Sequence, residues 1–144
     1  MLAENNINIE QKEKEKETGI NDFPKRILVV DDDPDIRIMI KIMLEFKGYS
    51  VVAIERGDTS EEMLMTGEFG LVIMDMLLSG MNGVDICARI KQNDAIAHIP
   101  IVMISAHPNA RATCLEAGAD EFIAKPFDMQ EILSSIKRLM PQAG

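Results

Sequence analysis

Residues 27–37 read ILVVDDDPDIR, and the passage from apolar to acidic to helical within that stretch decides the fold. From Arg26 to Val30 the chain is nearly all Ile, Leu and Val, as a strand covered on both faces needs; a strand with one wet face alternates with polar residues. Three aspartates follow at once. Asp33 stands where a side-chain oxygen caps free helix N–H groups, and Pro34 at the first helical position sacrifices no hydrogen bond. Asp33 therefore reads as a cap. Asp31 and Asp32 are left at the end of the strand.

Working outward, four more apolar runs follow: Val51 to Ile54, Leu71 to Met74, Ile99 to Ile104 and Phe122 to Ala124. Five strands are implied, and their lack of alternation predicts a parallel sheet. After the first run, Ile36, Met39, Ile40, Met43 and Phe46 recur at helical spacing, with Gly48 able to take the left-handed conformation at the helix end. Thr59-Ser-Glu-Glu62 has capping-box spacing and opens a short helix. Later helices fall near 84–93, 108–117 and 128–140, the last with Ile132, Ile136 and Leu139 on one face. The order is βα five times over. Right-handed crossovers then wind helices onto both faces of the sheet and place the ligand site at the carboxyl ends of the strands.

The chain has 144 residues, 47% hydrophobic, with 15 Lys plus Arg against 24 Asp plus Glu and a formal charge of −9. That length holds one α/β core and leaves little for a second unit of ~100 residues, so no DNA-reading domain is expected beside it. An acidic chain with no Trp and 4% aromatics also lacks the basic, stacking surface that direct nucleic-acid binding uses. No apolar run approaches the ~18 residues of a membrane span, and the start MLAENNINIEQKEK lacks the order of a secretion signal. A cytoplasmic protein is expected. Residues 1–24, centred on alternating Glu and Lys, lack an apolar face and are expected as a disordered tail, leaving 25–141 as the folded domain. Cys87 and Cys114, with no CxxC and no ligand-spaced histidine, read as reduced thiols packed on helices.

The strand ends carry the chemistry. The first ends in Asp31 and Asp32, the third in Asp75, the fourth in Ser105 and the fifth in Lys125. Any one of these alone is ordinary turn or cap chemistry. Three carboxylates brought to one edge repel each other unless a hard divalent cation neutralises them, and Mg²⁺ suits because it keeps waters for a phosphoryl ligand. Asp75 closes an apolar strand as a candidate nucleophile. Lys125 and Ser105 supply the ammonium and hydroxyl that phosphoryl transfer uses to stabilise charge, and Ala106 is small enough to leave room.

Four pieces, ILVVDDDPDIR, LVIMDMLLSGMNG, IPIVMISA and GADEFIAKPF, together resemble the receiver domain of two-component response regulators over residues 26–140, in that family's order. The resemblance implies a flavodoxin-like doubly wound (βα)5 fold with a parallel five-stranded sheet in the order 2-1-3-4-5. It implies that Asp31, Asp32, Asp75 and the backbone carbonyl of Leu77 hold Mg²⁺ or Mn²⁺. Asp75 is then the phosphoacceptor, Ser105 and Lys125 contact the phosphate, and Lys125–Pro126 is a cis peptide. Ser105 and Phe122 take the family's switch positions; Phe122 lacks the hydroxyl of the frequent Tyr, but its ring can still swing. The family's usual proline is replaced by Ser79, which predicts a more mobile loop after Asp75. Leu77 and His107 occupy positions that influence acyl phosphate lifetime: apolar Leu77 is expected to shield the site, while His107 reads as solvent-facing.

The implied function is a stand-alone switch. It takes phosphate from a sensor histidine kinase or phosphotransfer protein and signals to a downstream protein through the fourth helix, fifth strand and fifth helix, with a homodimer on phosphorylation as a further outcome and no membrane insertion. Two other readings stand beside it. A haloacid dehalogenase-like phosphatase is echoed by Asp31-x-Asp33, Ser105 and Lys125, yet Asp35 replaces its Thr or Val, no acidic pair follows Lys125, and Asp75 is left without a role. A non-phosphorylated interaction module of the same fold leaves the acidic residues without a purpose.

Overall fold

The computed structural model describes residues 26–140. The expected tail, residues 1–24, lies outside the described residues. We label the main strands β1 (Arg26–Val30), β2 (Ser50–Ile54), β3 (Phe69–Asp75), β4 (Ile101–Ser105) and β5 (Glu121–Ala124). The helices are α1 (Pro34–Phe46), α2 (Ser60–Leu64), α3 (Gly83–Gln92), α4 (Ala110–Glu116) and α5 (Met129–Leu139). Every pairing in the five-stranded sheet is parallel, and the spatial order is β2-β1-β3-β4-β5. The order reverses at β1, so β1 and β3 are neighbours and their carboxyl ends flank the crevice where such sheets bind ligands.

Successive strand residues point to opposite faces, and each face has its own core. Ile27, Val29, Leu71, Ile73, Val102 and Ile104 pack with Ile40 and Leu44 of α1 and Ile132, Leu133 and Ile136 of α5. Leu28, Val30, Val72, Met74, Ile101 and Met103 pack with Leu64, Ile86, Cys87, Ile90, Ala110 and Cys114 of the other three helices. Two helices cover one face and three the other. The continuous apolar runs are explained by this double cover.

Local signals place the helix ends. The Asp33 side chain accepts from the Asp35 N–H with Pro34 behind it, as expected. At the far end of α1, Gly48 has φ +96; its N–H bonds to the Glu45 carbonyl and the Tyr49 N–H to Leu44. That is the paired closure of a helix by a left-handed glycine. Helix α5 opens on a full capping box between Asp128 and Glu131.

Two expectations need correction. Thr59 makes no side-chain cap; it ends a 3-10 turn, Gly57–Thr59, at φ −101 and ψ 0. A capping residue needs extended backbone to aim its oxygen at the helix N–H groups, and Thr59 lacks it. The inward face of α1 is also narrower than expected. Ile40 and Leu44 are buried, whereas Met39 and Phe46 turn outward, Phe46 to 82% exposure. Ile38, Ile42 and Phe46 form an exposed apolar row four residues apart, because α1 is apolar around most of its circumference and periodicity alone does not fix which side faces the sheet.

Candidate functional site

β1 delivers Asp31 to the crevice, 2% exposed, directly after the fully buried Val29 and Val30. Its Oδ1 accepts the Asp33 N–H at 2.9 Å, and its backbone carbonyl accepts from Arg37 Nη1 at 2.8 Å. The turn into α1 is thus built around Asp31. β3 delivers Asp75, 7% exposed, whose Oδ1 accepts the Leu77 N–H at 2.9 Å. Lys125, just past β5, reaches between them: its Nζ donates to Asp75 Oδ2 and lies 3.5 Å from Asp31 Oδ2. The Lys125–Pro126 bond is cis.

One ammonium shared by two buried carboxylates leaves the pocket negative. Burial pushes the Asp31 carboxyl up to about 6; the Asp33 N–H pulls it back, the charge of Asp75 adds to the rise, and Lys125 opposes it. Burial alone would lower Lys125. The hydrogen bond and charge of Asp75, with the charge of Asp31, outweigh it and hold the ammonium's pKa above its ordinary value.

Gly83 makes the geometry at Asp75 possible. It begins α3 against the back of β3, its N–H donating to the Met76 carbonyl at 2.7 Å. A Cβ there would fall 2.3 Å from the Asp75 carbonyl oxygen. Any side chain at 83 would displace the loop that carries Asp75.

Ser105 ends β4 beside the β5 residue Ala124 and is 2% exposed. Its hydroxyl oxygen accepts the His107 N–H at 3.0 Å, and its carbonyl accepts the Lys125 N–H at 2.9 Å. His107 is exposed, with Nδ1 accepting from the Asn109 N–H at 3.2 Å. Phe122 is half-buried, its ring 5.3 Å from the Arg111 guanidinium carbon. Leu77 is 61% exposed, so its side chain belongs to the rim of the site and not to the core.

Asp31, Asp75 and Lys125 are brought together; Asp32 is handled differently. Asp32 is half-buried, and its Oδ2 accepts the Ser79 hydroxyl at 2.6 Å. At Ser79, where a more mobile loop was expected, the structure shows that bond and a two-residue antiparallel ladder, Leu77–Leu78 with Met81–Asn82, around the Ser79-Gly80 turn. Among the described residues, no three His, Cys, Asp or Glu side chains gather closely enough to enclose a metal ion unaided. The three carboxylates expected to converge from the strand ends do not by themselves form an enclosing set. The donors are nonetheless all oxygen, the chemistry a hard cation accepts. Mg²⁺ fits an open set, because it takes one or two carboxylates and keeps waters. The two cysteines are buried and unpaired with each other. No helix among the described residues is long and apolar enough to cross a membrane.

A family model for the response regulator receiver domain matches residues 27–137. Among curated relatives, the phosphate regulon transcriptional regulatory protein PhoB of Pseudomonas aeruginosa is 32% identical over 122 residues, 83% of this chain and 53% of that protein. The DNA-binding response regulator MtrA of Mycolicibacterium smegmatis is 36% identical, over 78% of this chain and 49% of that protein. The chain thus spans about half the length of these relatives. Among solved structures, the response regulator TrrA of Thermotoga maritima, in complex with Mg²⁺ and BeF, superposes with TM-score 0.73 at 31% identity, covering 81% of this chain and 99% of that one. The receiver domain of the sensor histidine kinase PA1611 of Pseudomonas aeruginosa, with magnesium coordinated in its active-site cleft, superposes with TM-score 0.74 at 26% identity, covering 80% and 96%.

Proposed function

Because the chain belongs to the response regulator receiver domain family, we propose that Asp75 accepts a phosphoryl group from a phosphohistidine and that the resulting acyl phosphate alters the surface the domain presents to a protein partner. One observation carries this reading: the Lys125 ammonium reaches both Asp75 and Asp31 at the carboxyl ends of β5, β3 and β1. An Asp75 oxygen attacks phosphorus, the P–N bond of the donor breaks, and the imidazole leaves with its electron pair and takes a proton. Lys125, paired in the resting state with Asp75 Oδ2, is placed to follow the negative charge onto the phosphoryl oxygens. Ser105 offers a hydroxyl hydrogen, its oxygen being held by the His107 N–H. The Leu77 N–H holds Asp75 Oδ1 and the Lys125 ammonium holds Oδ2, which together fix the orientation of the carboxylate that attacks. Asp31, Asp32, Asp75 and the Leu77 carbonyl would hold Mg²⁺ or Mn²⁺. When bound, that cation supplies the positive charge this acidic pocket lacks for an incoming phosphoryl group.

The donor, a sensor histidine kinase or phosphotransfer protein, must bring its histidine to the mouth between the β1 and β3 loops. α1 starts at that mouth. Its exposed row Ile38, Ile42 and Phe46 is the adjoining apolar surface on which a helical donor can rest. Output runs through the opposite side of the site. β5 and α5 border a groove of about 340 Å³ that includes Phe122 and Arg138, and α4 carries a second of about 450 Å³ at Pro108, Arg111 and Leu115. Phe122 lines the first groove and stacks on Arg111 of the second, and Ser105 pairs with Ala124 two residues along β5, so a Ser105 drawn toward phosphate would bias that face.

Incubation with acetyl phosphate and Mg²⁺, followed by intact mass, tests the reading. One phosphoryl adduct per chain is expected, absent in Asp75→Ala and in Lys125→Ala strongly slowed. Steady release of inorganic phosphate undiminished by Asp75→Ala would instead support a phosphatase.

A further inference from the structure

The site is assembled from two loops that leave the neighbouring strands β1 and β3. One runs from β1 into α1 and carries Asp31 and Asp32; the other runs from β3 into α3 and carries Asp75 and Leu77. A side-chain hydrogen bond joins them across 47 positions, Ser79 Oγ to Asp32 Oδ2 at 2.6 Å. That length is characteristic of a hydroxyl donating to an ionised carboxylate. Ser79 is well placed to hold it. It sits in the tight turn between Leu78 and Met81, whose ladder pairs Leu77 with Asn82 and Leu78 with Met81, so the hydroxyl is presented from a braced hairpin.

Asp31 and Asp75 have other fixings: each accepts a backbone N–H on Oδ1, and both face Lys125. For Asp32, Ser79 is the side-chain partner, and Asp32 is more exposed than the other two. An aspartate at the rim, free to rotate about two bonds, reaches a cation only after losing that freedom. A carboxylate has two oxygens, and anchoring Oδ2 orients Oδ1 without consuming it. Outer partners of this kind set the direction and basicity of metal-ligating groups.

We propose that Ser79 is a positioning residue for divalent cation capture: its hydroxyl orients the Asp32 carboxylate at the mouth of the acidic pocket and couples the Asp75-bearing loop to cation occupancy. This rests on the reading that Asp31, Asp32 and Asp75 hold Mg²⁺. The side-chain bond of Ser79 is to Asp32. Ser79 acts through Asp32.

The test is Mg²⁺ titration of the full chain by calorimetry, without any phosphodonor, for the wild type, Ser79→Ala, Ser79→Thr and Asp32→Asn, with thermal unfolding in EDTA beside it. Ser79→Ala should weaken Mg²⁺ binding about tenfold while unfolding in EDTA like the wild type, and Ser79→Thr, which keeps the hydroxyl, should restore the affinity. Ser79→Ala binding Mg²⁺ as tightly as the wild type, or more tightly, overturns the inference, as does a threonine variant no better than alanine. Asp32→Asn separates the two levels. If it weakens Mg²⁺ binding while Ser79→Ala does not, the role of Ser79 alone fails; if it leaves Mg²⁺ binding unchanged, the assignment of Asp32 to the cation fails with it.

Discussion

Asp31→Asn should make the cation-free protein more stable. The Asp31 carboxyl is 2% exposed and pushed up to about 6 from an ordinary value of 3.8. The folded chain therefore holds this proton more tightly than the unfolded chain does. The stability that the proton contributes is complete below pH 3.8 and is lost as the pH rises through about 6. Near neutral pH the folded state carries an ionised Asp31 at a cost of about 3 kcal/mol, taking about 1.4 kcal/mol for each pH unit between the two values. Asparagine keeps an oxygen for the Asp33 N–H, has nearly the same volume and bears no charge. For a domain of this size a gain of that order corresponds to roughly 10 °C in melting temperature. Circular dichroism melts in EDTA across the pH 5 to 8 range read the effect directly. The variant should melt above the wild type near neutrality, with the gap closing toward acid, and Mg²⁺ should raise the wild type much more than the variant. A variant that melts at or below the wild type in EDTA near neutral pH, or a gap that does not change with pH, would refute the charge argument for this pocket.

Three further outcomes follow from other parts of the structure. Gly83→Ala puts a Cβ 2.3 Å from the Asp75 carbonyl oxygen and 3.0 Å from that of Met76; since both are backbone atoms, a loss of about 1–3 kcal/mol is expected, read as a lower urea midpoint. Burial pushes the Cys87 thiol up to about 11 and raises Cys114 as well, so neither should react with an aromatic disulfide reagent until the chain is unfolded, and a native-state reaction at one thiol per chain contradicts this. The Arg138 guanidinium, hydrogen-bonded to Glu121 at 2.5 and 3.0 Å, holds that carboxyl below its ordinary 4.5, with help from Ser135 against the effect of burial. Its stabilising effect is present above pH 4.5 and fades as the pH falls through the lowered folded value; Arg138→Ala should move the Glu121 titration upward in a carboxyl NMR experiment.

The features that were legible in the sequence are those whose physics is local or periodic. The unbroken runs at 26–30 and 71–74 announced strands covered twice, Asp33-Pro34 announced a capped helix start, and Gly48 a left-handed helix end, because each signal lies within a few residues of what it determines. α1 was harder. With Ile36, Ile38, Met39, Ile40, Ile42, Met43, Leu44 and Phe46 in one helix, the apolar period has no clear phase, and only the neighbouring sheet selects Ile40 and Leu44 for burial. Thr59 satisfied a four-residue pattern that a 3-10 turn then overrode. The hairpin at 77–82 had a usable signal, Ser79-Gly80 between Leu77-Leu78 and Met81-Asn82, which is ordinary tight-turn punctuation. Its bond to Asp32 had none, since a contact between positions 32 and 79 depends on how two loops are brought together by the whole sheet.

That difference between local and assembled features also explains the energetic character of the site. β1 and β3 are neighbours because the strand order reverses at β1, and both are driven into place by the burial of residues such as Leu28, Val29, Val72 and Ile73, which are almost wholly removed from water. Their acidic ends arrive together as a consequence and not by mutual attraction. Lys125 offsets one charge of the Asp31 and Asp75 pair and leaves the other; burial above all, with the charge of Asp75 adding to it, is why Asp31 holds its proton to about pH 6. A pocket left short of positive charge by a fold stable enough to tolerate it binds whatever restores the balance. Oxygen donors on two separate strand-end loops suit a hard cation, and on the proposed reading a cation there would admit the three equatorial oxygens of a phosphoryl group that this pocket alone would repel. Asp31→Asn should relieve the imbalance and stabilise the fold, and by the same physics should make the pocket a poorer host for magnesium.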